Sequence, residues 1–363
     1  MSTTKKILFS VLHRPNRSPS QRFRFEQYLP YLKENGFDYT YSNLLSAADD
    51  KIFYSPNHYF QKSGIVAKSI FKRAIESVRL AQYDIIFVQR EAFMLGTSFF
   101  EWLYSHSKAK LVFDFDDSIW LENVSEANKN LVWLKNPSKT ANIIKMADLV
   151  FAGNLYLATY ANQFNKNVKI IPTTIDTSYH KRLDVEKPQD KICIGWTGSP
   201  TTIQHLKFAL PILEKIKKQY ADKVYFKVIG DASFQYPELG IKGIAWSQET
   251  EVKELSYLDI GIMPLPNDEW AKGKCACKGI QYMAMAIPTI MSPVGVNTEV
   301  IQDGINGYLA DSNEEWLAKL SLLIESEIAR KTIGNAGFKT VMDHYSVLSQ
   351  QNNYLKYLNE LIL

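Results

Sequence analysis

The chain has 363 residues, of which 46% are hydrophobic and 13% aromatic. It is longer than a single hydrophobic core usually grows and apolar enough to fill two cores, so we expect a two-domain protein. Its 42 Lys and Arg residues nearly balance its 38 Asp and Glu residues, and the net charge of +4 excludes the strongly basic surface of a general nucleic-acid-binding protein.

The cysteines and the hydropathy pattern exclude further classes. The three cysteines are Cys193, Cys275 and Cys277. They give no disulfide framework and have no companion pair at zinc spacing, so we expect no structural metal. No apolar run reaches about 18 residues, the length of a membrane span, and the run Ile7–Leu12 is too short for a signal peptide. We therefore expect a cytoplasmic protein.

In the first half of the chain, short apolar runs alternate with helical patterns. The strand candidates are Ile7–Leu12, Ile85–Gln89, Leu111–Phe115, Leu149–Ala152 and Val168–Ile171. Helical patterns between them include Phe23–Asn35 and Phe99–Ser105. This alternation predicts a parallel sheet covered by helices, with ligands bound at the carboxyl ends of the strands.

One helical segment, Lys62–Arg79, places cations among apolar residues. We favour the solvated face of a packed helix as its interpretation. The alternative is a helix that lies on anionic lipid and gives the protein a peripheral contact with the inner face of the membrane.

Basic side chains follow the first strand candidate. The segment from His13 to Arg24 contains four arginines, at positions 14, 17, 22 and 24. Because they lie at the carboxyl end of a strand, we expect Arg22 and Arg24 to contact a phosphate or carboxylate of a substrate, with His13 on the same side. The alternative is that they are solvated loop charges. Arg90 follows another strand candidate and takes an equivalent position.

Three carboxylates end the strand that begins at Leu111. Asp114, Asp116 and Asp117 would repel one another unless they bind a cation, pair with arginine or take up a proton. In one interpretation Asp114 and Asp116 hold a divalent cation. In the other, Asp116 or Asp117 lies in a cleft as the ligand or base of an acceptor hydroxyl, or pairs with Arg22 or Arg24.

After a polar break at Tyr179–Lys191, strands and helices alternate again. The strand candidates are Ile192–Trp196, Val224–Ile229, Gly243–Trp246, Ile260–Pro264 and Thr289–Met291. The tail Ile328–Leu363 has no strand candidate. We therefore predict a second parallel sheet, followed by C-terminal helices, and a binding site in the cleft between the two halves.

Two loops of this second half are candidate ligand contacts. Gly198, Ser199 and Thr201 follow the first strand candidate as a glycine turn and a Ser/Thr helix cap. We expect Ser199 and Thr201 to cap the following helix, and the same loop either stops there or also contacts phosphate. The segment Gly243–Ser247 contains Trp246, which serves either as a packing surface for a ligand or as core.

The segment from Trp270 to Leu309 is the most informative. Apolar residues at helical spacing predict a helix over Lys278–Ala286, with Lys278 in its first turn. A short strand and a glycine turn follow, and then a second helix start near Asn297. The free N–H groups and partial positive charge of two helix starts, together with Lys274 and Lys278, would suit a diphosphate. The alternative is an ordinary core helix with surface lysines.

This segment resembles the donor-binding region of family 4 glycosyltransferases of the GT-B type. The similar features are a lysine at a helix start, a Tyr-Met-Ala run, a Pro, a strand and a Gly-x-x-x-Glu loop. They continue through Asp303–Leu309, which is similar to the D-G-x-N-G-x-L turn of that family. Leu258–Leu265 and Ile194–Ser199 resemble two of its strands with their loops. The resemblance is strong over residues 190–312 and weak before them.

The sequence departs from that family at Gln281, where the family has a glutamate that holds the nucleotide ribose. Glutamine can still form hydrogen bonds to hydroxyls, but without charge. The earlier glutamate of the family motif falls on Gly273, beside Lys274. The departure therefore concerns the sugar contacts more than the phosphate contacts.

The resemblance implies two Rossmann-like α/β domains, with C-terminal helices that cross back to the first. We expect an acceptor-side domain at 1–180, a donor domain at 190–340 and a returning helix at 341–363. The implied reaction transfers a hexose from a nucleotide-diphosphate sugar to an acceptor hydroxyl in glycan synthesis, with retention of configuration. Neither a cofactor nor a metal is expected, because the lysines neutralise the diphosphate. For this reason we favour the cleft interpretation of the acidic run.

The implied roles fall into three groups. Lys278, Lys274 and Asp116 are the expected catalytic residues. The expected donor contacts are Gly198, Ser199, Thr201, Ile244, Trp246, Gln281, Val296, Asn297, Thr298 and Glu299. The expected acceptor or phosphate contacts are His13, Arg22, Arg24, Arg90 and Asp117. For Glu299, a structural role in the first turn of a helix is the alternative.

The acceptor is expected to be a saccharide, a lipid-linked molecule or a protein. Two other functions use the same donor site. One is a nucleotide-sugar epimerase, which needs no separate acceptor. The other is a non-catalytic nucleotide-sugar binding subunit, which would bind donor without turnover.

Overall fold

A computed structural model describes residues 4–121, 134 and 136–362. The chain divides into two compact units. The N-terminal unit comprises Met1–Pro172 and Gln351–Leu363, and the C-terminal unit comprises Thr173–Gln350. The sequence analysis placed the boundaries between the domains at 180–190 and at 340/341, whereas in the structure they lie at 172/173 and 350/351. No helix in the described part of the chain is long and apolar enough to span a membrane.

The N-terminal unit is built on a parallel sheet. Its strands are β1 (Lys5–Val11), β2 (Phe37–Asn43), β3 (Ile85–Gln89), β4 (Lys110–Phe115), β5 (Leu149–Ala152) and β6 (Val168–Ile170). In the described residues these six strands follow the order β2-β1-β3-β4-β5-β6, and every pairing is parallel. The inner strands are buried on both faces, which explains their continuous apolar runs.

Helices connect these strands. They are α1 (Pro19–Arg22), α2 (Leu29–Glu34), α3 (Ala47–Phe53), α4 (Tyr59–Ser77), α5 (Phe99–Ser105), α6 (Lys139–Met146) and α7 (Leu155–Ala161), with 3-10 turns at Glu26–Tyr28 and Leu80–Gln82. Phe9, Phe25 and Phe87 pack together between sheet and helices, and the ring centroids of Phe9 and Phe25 are 4.7 Å apart. Aromatic packing therefore forms much of this core.

The C-terminal unit has a second parallel sheet. Its strands are β7 (Ile192–Thr197), β8 (Val224–Ile229), β9 (Gln235–Tyr236), β10 (Ile241–Lys242), β11 (Ile260–Met263), β12 (Thr289–Met291) and β13 (Tyr308–Leu309). Among the described residues, five of these strands follow the order β13-β12-β11-β7-β8, and β9 and β10 form a separate antiparallel pair. The prediction of two parallel sheets is confirmed.

Helices of this unit cover the second sheet. They are α8 (Ile203–Leu206), α9 (Leu210–Tyr220), α10 (Gln248–Ser256), α11 (Glu269–Lys272), α12 (Cys277–Ala284), α13 (Asn297–Val300), α14 (Asn313–Glu325) and α15 (Glu327–Thr340). Two 3-10 turns lie at Ala221–Lys223 and Pro237–Leu239, and a π-helical turn lies at Val341–Tyr345.

The last helix, α16 (Val347–Leu361), packs against the N-terminal unit. The ring of Tyr354 stacks on Tyr28 with centroids 4.5 Å apart, and both side chains are fully buried. Asn352 Oδ1 accepts a hydrogen bond from Tyr31, at 2.6 Å. The expectation that the C-terminal helices cross back to the first domain is confirmed.

Two segments differ from the sequence-based strands. Gly243–Trp246 is not a strand, because only Ile244 bridges to Ile229 of β8. Strand β2 was not predicted, since its position at the edge of the sheet leaves three of its seven residues exposed and removes the apolar signal.

Candidate active site

The loop after β7 is held against its own strand. A Cβ atom on Gly198 would approach the Trp196 ring to 2.1 Å, so only glycine fits at this point. Gly198 N donates a hydrogen bond to Ile229 O, at 2.9 Å. The loop is thereby fixed at the carboxyl ends of two neighbouring strands, β7 and β8.

The caps predicted for the next helix differ in the structure. Helix α8 begins at Ile203 with Thr202 at its N-cap, and no side chain of the described residues caps it. The hydroxyls of Ser199 and Thr201 are 2.9 Å apart, and Ser199 N donates to Thr202 Oγ1. The prediction that Ser199 and Thr201 cap the helix is therefore wrong, because their hydroxyls bond within the loop.

Lys278 lies in the first turn of α12 and contacts this same region. Its Nζ lies 5.5 Å from the centroid of the Trp196 ring, a cation–π arrangement. Ala276, which precedes the helix, has a left-handed backbone with φ of 51°, and among the described residues no side chain caps the helix start. The start of α12 therefore lacks a side-chain cap, and the N-terminus of a helix carries a partial positive charge that favours an anion.

Lys274 lies in the segment that enters α12. Its Nζ lies 5.3 Å from the centroid of the Trp270 ring. Lys272 on α11 is half-buried and pairs with Glu269 at 2.5 Å. Because the side chains of Lys274 and Lys278 lie over aromatic rings, the aliphatic parts of both are ordered on apolar surface.

The glycine turn after β12 lies against the lysine segment. Gly295 has φ of +54°, and a Cβ atom there would approach the carbonyl oxygen of Lys272 to 2.6 Å. Asn297 begins α13 and donates from Nδ2 to Ser292 O, at 2.9 Å. Asn297 is fully buried, so its side chain holds the turn. The N-cap of α13 is Val296, and within the described residues no side chain caps this helix.

Thr298 and Glu299 follow on the surface of the same turn. Both are exposed, and Thr298 Oγ1 donates to Gly295 O at 2.9 Å. Glu299 lies in the first turn of α13, where an acidic side chain favours the helix dipole. Of the predicted residues in this loop, Glu299 alone places a carboxylate near the turn.

Gln281 lies in a buried polar cluster with Glu251 and His180. Gln281 Nε2 donates to Glu251 Oε1, at 3.0 Å, and lies 3.4 Å from His180 Nε2. All three side chains are buried. The indole of Trp246 also donates to Glu251 Oε1, at 3.0 Å. A carboxylate is therefore present beside Gln281, and it is supplied by α10.

Ile244 and Trp246 lie in the loop before α10. The backbone of Ile244 donates to Val228 O and accepts from Gly230 N, at 2.9 and 2.7 Å. Trp246 is partly buried and packs against a cluster that includes Leu255 and Met285. The structure gives Trp246 a packing role together with its bond to Glu251.

In the N-terminal unit, Arg24 and Asp114 form a fully buried ion pair. Arg24 Nη2 lies 2.5 Å from Asp114 Oδ1, and its Nη1 donates to Ile171 O. Burial raises the pKa of Asp114, and the charge of Arg24 opposes that shift. Because Arg24 has no exposed surface, its role is structural and the predicted contact with a substrate phosphate is not formed. Asp114 is equally buried and paired with Arg24, so it is not available to the divalent metal ion of the first interpretation.

The other two carboxylates pair with Arg90. Arg90 Nε donates to Asp116 Oδ1 at 2.8 Å, and its Nη2 pairs with Asp117. Arg90 has φ of 62°, a conformation that is rare outside glycine and clusters at functional sites. Burial raises the pKa of Asp116, Arg90 opposes the shift and Asp117 adds to it. These carboxylates do pair with an arginine, but the predicted partner, Arg22 or Arg24, is wrong for Asp116 and Asp117: their partner is Arg90, while Arg24 pairs with Asp114.

His13 lies close to this group. Its Nδ1 lies 3.8 Å from Asp50 Oδ1, and its Nε2 lies 3.2 Å from the hydroxyl of Tyr54. Burial lowers the pKa of His13 to about 4, Asp50 opposes the shift, and Arg17, Arg90 and Arg14 add to it. Arg90 is therefore near enough to act on His13, so the structure brings these two predicted residues together.

Arg22 and the three carboxylates after β4 were also predicted to contact substrate or metal. Arg22 is buried, with its guanidinium carbon 4.9 Å from the ring of Phe23. Among the described residues there is no group of three or more His, Cys, Asp or Glu that could hold a metal ion. The acidic run is thus neutralised by arginines within the described structure.

Four residues of these clusters were not predicted from the sequence. Trp196 appeared as an ordinary strand residue. Asp50 lies far along the chain from the predicted residue His13, and His180 and Glu251 lie far along the chain from Gln281. The signal for Trp196 was its position immediately before the glycine loop. The other three carry no local pattern, because their partners are brought to them by the fold.

The comparisons with known proteins fit this geometry. The family model described as glycosyl transferases group 1 matches residues 191–326. None of the curated proteins matches the chain.

Similar solved structures extend over the whole chain. A glycosyltransferase from Rickettsia africae ESF-5 is 15% identical with a TM-score of 0.67, covering 100% of this chain and 99% of that chain. Anabaena Alr3699/HepE in complex with UDP and glucose is 15% identical with a TM-score of 0.66, covering 98% and 100%. Sucrose-phosphate synthase from Thermosynechococcus elongatus is 12% identical with a TM-score of 0.69, covering 98% and 99%. Residues 191–326 are thus similar to glycosyl transferases group 1, and the chain as a whole has the fold of these glycosyltransferase structures, the GT-B fold.

Proposed function

We propose that the chain transfers a hexose from a nucleotide-diphosphate sugar to an acceptor hydroxyl, with retention of configuration and without a metal. In this reaction the bond from the sugar C1 to the diphosphate breaks, and a bond from C1 to the acceptor oxygen forms. The proton of the acceptor hydroxyl passes to the leaving diphosphate. The donor class is supported by Anabaena HepE, a similar structure in complex with UDP and glucose.

One observation carries the proposal: three separate segments of the C-terminal unit meet at one edge of its sheet. Gly198 lies against Trp196, Trp196 lies beneath Lys278, and Gly295 lies against Lys272. Strands β7, β11 and β12 are parallel neighbours, so their following loops share this edge. Two helix starts without a side-chain cap and two lysines therefore lie along this edge, and groups of this kind bind the oxygens of a diphosphate.

Lys278 and Lys274 would stabilise the negative charge that develops on the leaving diphosphate. A cation placed where charge develops lowers the barrier of the chemical step, since it binds the transition state better than the substrate. Two lysines and two helix starts supply this charge without a divalent ion. This is the physical basis for the proposed metal independence.

On the acceptor side, we assign Asp116 and Asp117 to the acceptor hydroxyl, with Arg90 as the residue that positions them. The raised pKa of Asp116 and the left-handed backbone of Arg90 support this assignment. A saccharide is the simplest acceptor, and lipid-linked or protein acceptors use the same hydroxyl chemistry.

The test is a thermal-shift panel of UDP, GDP, ADP, CDP and TDP with their sugars, with and without chelator. One nucleotide family should stabilise the protein in both conditions, by about 2.7 kcal/mol at about 100 times its Kd. Lys278→Ala should lose the shift, whereas Lys331→Ala, at an exposed lysine of α15, should keep it. A shift that requires divalent metal and persists in Lys278→Ala would contradict the proposed donor site.

The products of the reaction distinguish sugar transfer from epimerisation and from binding without turnover. Donor incubated without acceptor should release sugar slowly by hydrolysis and form no epimerised sugar nucleotide. Analysis of the anomeric configuration of the product then tests retention. Epimer formation without acceptor would overturn the transfer reaction, while leaving the donor site intact.

A further inference from the structure

Helix α4 buries several polar side chains and exposes several large apolar ones. Its most buried residues are Lys62, Ile65, Ser69 and Arg73. Arg73 is fully buried, and its Nη2 donates to Val11 O while its Nε donates to Ala92 O, both at 2.8 Å. These bonds to the carboxyl end of β1 and to the loop after β3 fix the rotation of α4. The outward face is therefore a defined surface.

That outward face is apolar. Large apolar side chains are exposed on α4 and at its C-cap, and they are Phe60 (89%), Ile70 (46%), Phe71 (68%), Ile75 (40%) and Val78 (82%). Ala67 and Ala74 continue the same face at helical spacing. Exposed apolar groups that form a continuous stripe indicate an interaction surface. We call these seven residues the outer stripe.

The same segment carries the net charge of the chain. Residues 59–79 contain five basic residues and one acidic residue, Glu76. The rest of the chain therefore has 37 basic and 37 acidic residues, and the +4 net charge belongs entirely to this segment. Of these cations, Lys62 and Arg73 are buried, Arg79 is exposed, and Lys68 is 59% exposed with its Nζ paired with Asp49 at 2.7 Å. An apolar stripe flanked by cations complements a surface that is both apolar and anionic.

We propose that α4 docks the N-terminal unit on a bilayer that contains anionic lipid, with the outer stripe inserted among the acyl chains near the headgroups. The exposed Lys68 and Arg79 would lie at the phosphate level, as long basic side chains do at membrane interfaces. The neighbouring helix α5 also exposes Phe99 and Trp102, and aromatic rings are preferred at this depth.

Charge favours lipid over a second copy of the chain. A two-fold contact through the outer stripe would place two identical cationic helices against each other. Like charges at such a contact oppose association, whereas an anionic bilayer attracts them. The proposal does not depend on the identity of the donor or acceptor.

The experiment is co-sedimentation of the full chain with vesicles of phosphatidylcholine alone and with about 30% phosphatidylglycerol. We expect at least about tenfold stronger partition into the anionic vesicles, weakened by high salt because the attraction is screened. Phe60→Ser combined with Phe71→Ser should reduce binding by about tenfold or more, since two inserted aromatic side chains are lost. Melting temperatures should stay unchanged, because both side chains are exposed.

The matched control is Phe208→Ser combined with Ile328→Ser, which removes two exposed apolar side chains from the C-terminal unit. This variant should bind anionic vesicles like wild type. Equal binding by the α4 variant and wild type, or no binding by wild type, would overturn the proposal. So would a concentration-dependent dimer that the α4 substitutions abolish, because a second copy would then cover the stripe.

Discussion

At Gln281, the partner explains why an amide is present. Its Nε2 donates to a buried carboxylate oxygen of Glu251, at 3.0 Å. A glutamate at this position would bring two carboxylates together in a buried site, where both cannot be ionised at low cost. The departure from the family pattern thus accompanies a carboxylate that the chain places on α10.

Gln281→Glu should therefore destabilise the protein, by about 1–3 kcal/mol. Combining it with Glu251→Gln should recover much of that loss, since the pair again has one donor and one carboxylate. Urea unfolding of the four proteins of this cycle measures the coupling. Gln204→Glu, at an exposed position on α8, is the control and should change little. Equal losses from Gln281→Glu with and without Glu251→Gln would refute the pairing.

Arg24 and Asp114 give a second prediction at single residues. Arg24→Met leaves a buried carboxylate without its partner and should cost about 3–5 kcal/mol. Adding Asp114→Leu should restore stability substantially, because no charge then stays buried. Chemical denaturation of both variants checks this. A double variant less stable than Arg24→Met would show that the ion pair is not the source of the loss.

His13 makes stability depend on pH. Burial lowers its pKa to about 4, so the folded protein holds it neutral where the unfolded chain, with a pKa near 6.5, takes up a proton. Stability should therefore fall as pH drops from about 6.5 to about 4. His13→Gln removes this component and should lose less stability between pH 7 and pH 5, by about 1–2 kcal/mol. Parallel pH slopes for the two proteins would contradict the assignment.

At the level of elements, the inner strands were predictable, whereas the edge strand β2 was not. The ranges Ile85–Gln89 and Leu149–Ala152 match the structure, because burial on both faces requires a continuous apolar run. Val224–Ile229 also matches, although β8 lies at the edge of its sheet and is only partly buried. Strand β2 at the sheet edge carries mostly polar residues, so its sequence does not identify it as a strand. Its hydrogen-bonded pairing with β1 in the structure does.

The candidate site divides in the same way. Helix starts and glycine turns have local signatures, and the segments around Lys278 and Gly295 were found from them. Side-chain partners depend on residues distant in sequence, so the pairing of Arg24 with Asp114, 90 positions apart, needed the fold. The capping prediction for Ser199 and Thr201 was wrong because short hydroxyl side chains bond equally well within a loop.

A prediction about a single structural element concerns the turn at Gly295. Gly295→Ala combines a left-handed φ with a Cβ 2.6 Å from the Lys272 carbonyl oxygen, so the turn must move. We expect nucleotide affinity to fall about tenfold or more, as the turn leaves its position beside the lysine segment. Gly240→Ala is the matched control, since its φ is +64° with no atom within 4 Å of the added Cβ. It should cost about 1 kcal/mol of stability and leave nucleotide affinity unchanged. Equal affinities for the two variants would refute the role of this contact.

For the whole molecule, the division into units does not follow the order of the chain. The N-terminal unit includes Gln351–Leu363, and Tyr354 from this segment is fully buried there. Removing residues 351–363 should lower the melting temperature of the N-terminal unit by several degrees or more, because the stacked ring of Tyr28 loses its partner. Tyr354→Ala should reproduce part of this loss, and Lys356→Ala, at an exposed residue of α16, should not. Calorimetry that shows an unchanged N-terminal transition would contradict this.

The returning helix also sets the order in which the molecule matures during synthesis. Domains usually fold in the order in which they leave the ribosome. Here residues 351–363 of the N-terminal unit are synthesised after all residues of the C-terminal unit. Until Tyr354 emerges, the nascent N-terminal unit exposes the aromatic surface around Tyr28 and Phe87 that this ring covers. The N-terminal unit is therefore completed after the C-terminal unit, and a chain stalled before Tyr354 would present that surface to chaperones.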